Sequence, residues 1–270
     1  MLWWQDPGSD KRVLTLIDPL DGRDVWPERE FPAAAHACVV GETAVGVMQP
    51  DGRFVLMGLP EGRIITDVQL EAEPTLIDIT VLASGGQYFL LTRSAAAEGA
   101  NPLPLHPMPG CPPKPIWRGR VYAFDKHGKL QWPAPAAIEN QFVLSDQPAR
   151  LPVLTFACHM FLQKPNGQGE QRLSLLAIDK RNGRTAYKGQ FSNNMGLLDI
   201  NGDARTNSVD LVMQRDTVRL TFTDKPLPPP SAADGQPAQW QGSSGIQAFW
   251  NSIKGTLGDL LDGAGRKREK

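Results

Sequence analysis

The stretch Val121-Tyr122-Ala123-Phe124-Asp125-Lys126-His127-Gly128-Lys129-Leu130-Gln131-Trp132 decides how the rest of the chain is read. An apolar run meets a short polar segment and then a second run that closes on an aromatic. That order predicts a β-hairpin: alternation at period two buries one face, Asp favours the turn, and Gly supplies the positive φ of a tight reversal. Working outward, three more copies appear. Val13 to Trp26 turns around Asp21-Gly22, Phe54 to Ile65 turns around Glu61-Gly62, and Leu173 to Tyr187 turns around Asn182-Gly183.

The turn glycines Gly22, Gly62, Gly128 and Gly183 lie 40, 66 and 55 residues apart. About forty residues make one four-stranded propeller blade, and the longer gaps call for insertions. One insertion is visible at residues 99–118, where seven prolines fall between Asn101 and Pro115; such a segment can be neither helix nor central strand. Each later hairpin is preceded by two more strand-like runs. These are His36–Val40 and Ala44–Met48, Ile77–Ala83 and Tyr88–Thr92, and Asn140–Leu144 and Leu154–Gln163. Val209–Met213 and Val218–Phe222 form a last hairpin.

The expectation is therefore all-β: a β-propeller of about four four-stranded blades over residues 1–224. The front and back hairpins could share one composite blade that closes a small ring. The preferred reading is that the chain is the C-terminal part of a larger propeller. After it come a Pro/Ser/Gln linker at 225–245, a short amphipathic helix at 246–262 and a basic tail at 263–270. The helix is expected first to dock on protein, second to fray, and third to touch a membrane.

Composition sets outer limits on function. The chain has 270 residues with 41% apolar content, 28 Lys+Arg against 29 Asp+Glu, and a net charge of -1. Such balance gives no general pull toward nucleic acid or anionic lipid. Three cysteines, Cys38, Cys111 and Cys158, do not form a disulfide framework. No 18-residue apolar run and no signal-peptide pattern is present, so localisation is not set by the residues themselves.

These hairpins resemble the repeat of the pyrroloquinoline-quinone (PQQ)-like β-propellers, which reads roughly as apolar-Tyr-Ala-Leu-Asp, a short turn, Gly-Lys and then Trp. The copies at 121–132 and 173–187 carry the resemblance most specifically. It implies the propeller fold, a parent protein of the periplasm or cell envelope, and two kinds of relative: quinoprotein dehydrogenases and non-catalytic scaffolds. It also implies that Trp26 and Trp132 dock neighbouring blades, with Tyr187 in that place in the fourth copy and Ile64-Ile65 in the second. The dehydrogenases carry a vicinal cysteine pair and hold Ca²⁺ beside PQQ. No Cys-Cys occurs in this chain, so the resemblance implies the fold and not the enzyme, and no cofactor is expected.

Among candidate sites, Asp199, Asn201, Asp203, Asn207 and Asp210 match the oxygen spacing of a calcium loop. Ala204 stands where the sharp turn wants Gly, and the alternative is a polar turn between strands. His36/Cys38 and Cys158/His159 offer soft ligands, but Cys158 and His159 are adjacent on a strand and point to opposite faces. Asp21, Asp51, Asp125 and Asp179 sit in turns, where local hydrogen bonding accounts for them. No nucleophile elbow or phosphate loop occurs. The function expected is a non-catalytic propeller that binds protein partners. The alternative is part of a quinoprotein oxidoreductase whose catalytic blades lie outside this chain.

Overall fold

In the computed structural model every described element is a β-strand. The structure describes residues 2–5, 10–96, 105–106, 115–144, 147, 150–163, 169–192, 197–203 and 208–222. The sequence-predicted linker, helix and basic tail lie outside them. The chain divides into two units, Met1–Met195 and Gly196–Lys270, and each is described by itself.

In the first unit, β1 (Leu2–Gln5), β2 (Lys11–Leu16) and β3 (Arg29–Pro32) form a three-stranded antiparallel sheet in that order. Next come β4 (His36–Val40), β5 (Ala44–Met48), β6 (Arg53–Gly58) and β7 (Ile64–Gln69), a four-stranded meander. Then β8 (Leu76–Ser84), β9 (Gln87–Ser94), β10 (Leu105–His106), β11 (Ile116–Asp125), β12 (Ala136–Val143), β13 (Val153–Gln163), β14 (Gly169–Asp179) and β15 (Thr185–Ser192) make one eight-stranded sheet. That sheet is two blades joined through one strand. The first part of β12 pairs with β11, whereas Phe142 and Val143 face Ala157 and Phe156 of β13. Between the two halves Asn140 takes φ 53°, and its carbonyl accepts from Cys158 Sγ at 3.1 Å. β12 is thus the outermost strand of one blade and the innermost of the next.

The blades stack because their strands are apolar on both faces. In the second sheet Val45, Val47, Val55 and Met57 pack against Leu14, Trp26, Phe31 and Ala35 of the first. The alternate residues Ala44, Met48, Phe54 and Leu56 pack against Ile79, Val81, Leu90, Tyr122 and Phe124 of the third. The third turns Phe89, Leu91, Val121 and Ala123 to Leu154, Phe156, Leu176 and Ile178 of the fourth. Burial on both faces makes the strands read as continuous apolar runs, and each fully buried Val, Leu or Phe contributes about 1.5–3 kcal/mol. Meander sheets stacked face to face in chain order are β-propeller blades.

Two expectations change here. The front hairpin gains a third strand, because β1 pairs with β2 from Leu2↔Leu16 to Gln5↔Val13. In the second unit β16 (Leu197–Asp203), β17 (Ser208–Met213) and β18 (Thr217–Thr221) also form a three-stranded sheet. The Pro-rich insertion also ends earlier than composition suggested, since Ile116 and Trp117 already belong to β11. Within it β10 pairs with β13 at Leu105↔Met160 and His106↔His159, prolonging the inner edge that β12 begins.

Candidate functional site

The four hairpin turns are one structure repeated. The amide of the first turn residue (Asp18, Gly58, Asp125, Asp179) donates to the carbonyl of the residue after the glycine (Arg23, Arg63, Lys129, Arg184). Each glycine amide in turn donates to the first residue's carbonyl, and all eight bonds span 2.8–3.0 Å. The glycines have φ between 67° and 81°, a region that L side chains avoid. Carboxylates of the same turns hold further amides. Asp21 accepts from Arg23 N, Asp125 from His127 N and Lys129 N, and Asp179 from Arg181 N. The Lys129 amide is the chief reason that the Asp125 carboxyl sits below the ordinary carboxylate range.

The pairing register defines which residue fills the aromatic slot. Ile17, Met57, Phe124 and Ile178 pair with Asp24, Ile64, Leu130 and Thr185, so the slot two residues on holds Trp26, Thr66, Trp132 and Tyr187. The second copy therefore places Thr66 there, one residue beyond the Ile64-Ile65 expected from sequence. Trp26 lies against Gly62 of the next blade's turn, so closely that no Cβ could stand between them. A Cβ on Gly183 would meet Trp132 at 2.6 Å, and one on Gly128 would meet Thr66 Cβ at 2.6 Å and collide with the Ile65 carbonyl. Tyr187 lies over Gly189 of its own strand, and burial pushes its phenol up to about 12.

Lys180 completes the junction between the third and fourth blades. It is 5% exposed. Its amide donates to Pro152 O at 2.9 Å, its carbonyl accepts from Trp132 Nε1 at 3.0 Å, and its Nζ donates to Ser84 Oγ at 2.8 Å. The ammonium also lies 5.9 Å from the Phe89 ring centre. Desolvation lowers its pKa to about 8.

A second polar constellation lies where the inner strands β4 and β8 begin. Arg93, buried, pairs with Asp78; Val81 N donates to Cys38 Sγ at 3.3 Å. Burial pulls His36 below its ordinary value and pushes the Cys38 thiol up. A thiol whose ionisation is pushed up by burial has less of the nucleophilic thiolate. Nearby, the buried Glu73 carboxylate accepts from Thr92 Oγ1 at 3.1 Å, Ser94 Oγ at 2.7 Å and Arg120 at 2.6 Å. Ser94 ends β9 and Arg120 lies in β11, so Glu73 clamps the two strands from which the Pro-rich insertion leaves. Burial, opposed by Arg120, pushes Tyr122 up to about 12.

The string Asp199 to Asp210 runs as two paired strands, with Asn201 opposite Asp210 and Gly202 opposite Val209. Asn207 lies outside the described residues. Asp210 binds Arg219 through both oxygens at 2.7 Å. Among the described residues no three His, Cys, Asp or Glu side chains gather as metal ligands. Cys158 is buried with Sγ turned to Asn140 O, and His159 is buried beside it; both differ in strand from His36 and Cys38.

Sequence reasoning missed the Lys180 junction and the Glu73 clamp. Both rest on contacts between residues far apart in the chain, and the only local sign was a Lys directly after the turn Asp. No helix among the described residues is long and apolar enough to cross a membrane. No family model matches the chain, and no curated protein matches it. Among solved structures it is similar to Kuenenia stuttgartiensis hydrazine synthase at 10% identity and TM-score 0.35, covering 76% of this chain and 49% of that one. A europium-containing methanol dehydrogenase is similar at 9% identity and TM-score 0.34, with coverage of 71% and 49%. BamB from Moraxella catarrhalis is similar at 10% identity and TM-score 0.24, with coverage of 82% and 88%. The chain thus spans about half the length of the first two, and likenesses at this level carry no argument about a site.

Proposed function

We propose that this chain is part of a PQQ-like repeat propeller that acts as a non-catalytic binding scaffold for protein partners, in a parent protein of the cell envelope. One observation carries the reading: the acidic side chains a reaction would draw on are committed to holding the fold. Asp21, Asp51, Asp125 and Asp179 each accept from amides of their own turns. Asp78, Glu73 and Asp210 are each neutralised by an arginine. A carboxylate so held is a poor general base, because its partners favour the ionised form and occupy its lone pairs.

The same observation bears on PQQ with Ca²⁺. Calcium needs six or more oxygen ligands, several of them carboxylate, and Asp21, Asp51, Asp78, Asp125, Asp179, Asp210 and Glu73 are spent on arginines and amides. The residues at hand do not fit that pair. Two measurements test the reading. A photo-crosslinking side chain placed at an exposed turn position should trap a protein that then forms a stoichiometric complex with the purified chain. Titration with PQQ and Ca²⁺ should leave quinone absorbance and melting temperature unchanged. Saturable quinone binding would overturn the scaffold reading in favour of a quinoprotein.

A further inference from the structure

The repeated turns carry a pattern that holding the fold does not require. The residue after each turn glycine is basic: Arg23, Arg63, Lys129 and Arg184. The turn uses only its backbone amide and carbonyl, so the side chain is free of structural duty. All four are exposed. Arg23 pairs with Asp21; Arg63, Lys129 and Arg184, together with Lys126, make no ion pair among the described residues.

Beside these cations lie uncovered apolar side chains. Val25, Ile64 and Leu130 are 50%, 45% and 39% exposed, and Leu20 at the first turn is 93% exposed. The junctions set the two kinds of residue side by side. Ile65 and Thr66 touch Gly128, which places Ile64 next to the turn bearing Lys129. Trp132 touches Gly183, which places Leu130 near the turn bearing Arg184. These two junctions thus each present one apolar residue from one blade and one cation from the next, in a row along the turn edge from the second blade to the fourth. The first turn carries the exposed acids Asp21 and Asp24, whereas at the second to fourth turns Asp125 and Asp179 are held by turn amides and Glu61 is the exposed acid.

We infer that this row is the docking surface of the scaffold, and that its occupant is an extended acidic protein segment with apolar side chains between its carboxylates. The inference rests on the binding reading above and adds a place and a partner chemistry. Charge complementarity decides the sign of the partner. An extended segment is favoured over a globular face because the cations recur one per blade along a line rather than in a cluster.

The test uses a fluorescent 20-residue peptide of repeating Glu-Glu-Leu-Gly and the whole chain. Wild type is expected to bind it with an affinity that falls with salt. The triple variant Arg63→Glu, Lys129→Glu, Arg184→Glu should weaken binding at least tenfold. The variant with Gln at the same three positions should lie between, and it covers the case in which the charge reversal fails to fold. Unchanged peptide binding in the Gln variant would overturn the inference. So would loss of phosphatidylcholine/phosphatidylglycerol vesicle binding in the variants when the peptide never binds, since the row would then face a membrane. A crosslinked partner whose complex survives the triple change would sink this surface and leave the scaffold reading standing; failure to trap any partner would remove both.

Discussion

Trp26 and Trp132 occupy the same slot in the repeat, lie against the same turn glycine of the following blade, and are both buried, at 5% and 2% exposure. Their junctions are nevertheless built differently. Trp132 donates its indole N–H to the Lys180 carbonyl, and its ring lies 5.9 Å from that of Phe89. Trp26 Nε1 has no hydrogen-bond partner among the described residues, and its ring is covered by the Arg29 guanidinium at 5.9 Å. Arg29 in turn donates to Gly62 O at 3.1 Å. One slot thus closes by a hydrogen bond from the ring and the other by a cation laid over it. Between them the Thr66 junction closes with backbone against glycine and no ring at all. The repeat motif specifies where blades meet and leaves the means to the neighbours.

The largest effect that could break this comparison is truncation of the rings. Trp132→Ala should cost about 3–5 kcal/mol, the range for a large buried aromatic. Trp26→Ala should cost less, because no buried carbonyl is left without its donor. Urea unfolding of both variants checks the order, and equal losses would mean that the hydrogen bond adds nothing.

Next in size is the pH response of the third junction. Lys180 is lowered from 10.5 to about 8 in the folded chain, so folding favours its neutral form. Above pH 8 the unfolded chain binds the proton that the folded one has released, and stability rises with pH until about 10.5. The gain is bounded by about 1.4 kcal/mol per pKa unit, about 3 kcal/mol in all. Tyr122 and Tyr187, raised to about 12, act in the opposite sense above pH 10. The measurement therefore belongs between pH 7.5 and 9.5. Lys180→Met should flatten the rise there; a slope that persists in this variant assigns it to another group.

A smaller contrast comes from Phe at the two slots. Trp132→Phe removes the donor to a buried carbonyl and should cost about 1–3 kcal/mol. Trp26→Phe removes a buried N–H that has no acceptor, so its lost area is offset and the change should stay within about 1 kcal/mol. A larger loss at Trp26 would reveal an acceptor outside the described residues. The least effect is expected at Thr66→Val, where backbone closes the gap: the unfolding free energy from urea titration should change by no more than about 1 kcal/mol.

The turns were legible from sequence because their chemistry is local. Asp, Gly and the basic residue act within five positions of one another, and the apolar flanking runs located β4 and β5 to the residue. The Thr66 slot was not, because its occupant is set by pairing register rather than by residue type, and Ile64-Ile65 looked the better hydrophobic stand-in. β1 escaped because four residues carry too little pattern to mark a strand. Nothing local to Glu73 or Lys180 marks them as buried; only the fold supplies Thr92, Ser94, Arg120 and Ser84. Residue spacing alone likewise does not separate a loop that wraps an ion from a polar hairpin; in the candidate calcium string Asp210 is held by Arg219 and Asn207 lies outside the described residues.

The shared strand β12 also constrains how such a chain can change over generations. Blades elsewhere are joined by short connections, residues 33–35 and 70–75, where a duplication or deletion removes whole sheets and leaves their neighbours intact. At Asn140 no such breakpoint exists: a cut there strips the outer strand from one blade and the inner strand from the next. A duplication or deletion that leaves every blade with its full set of strands must therefore carry the third and fourth blades together.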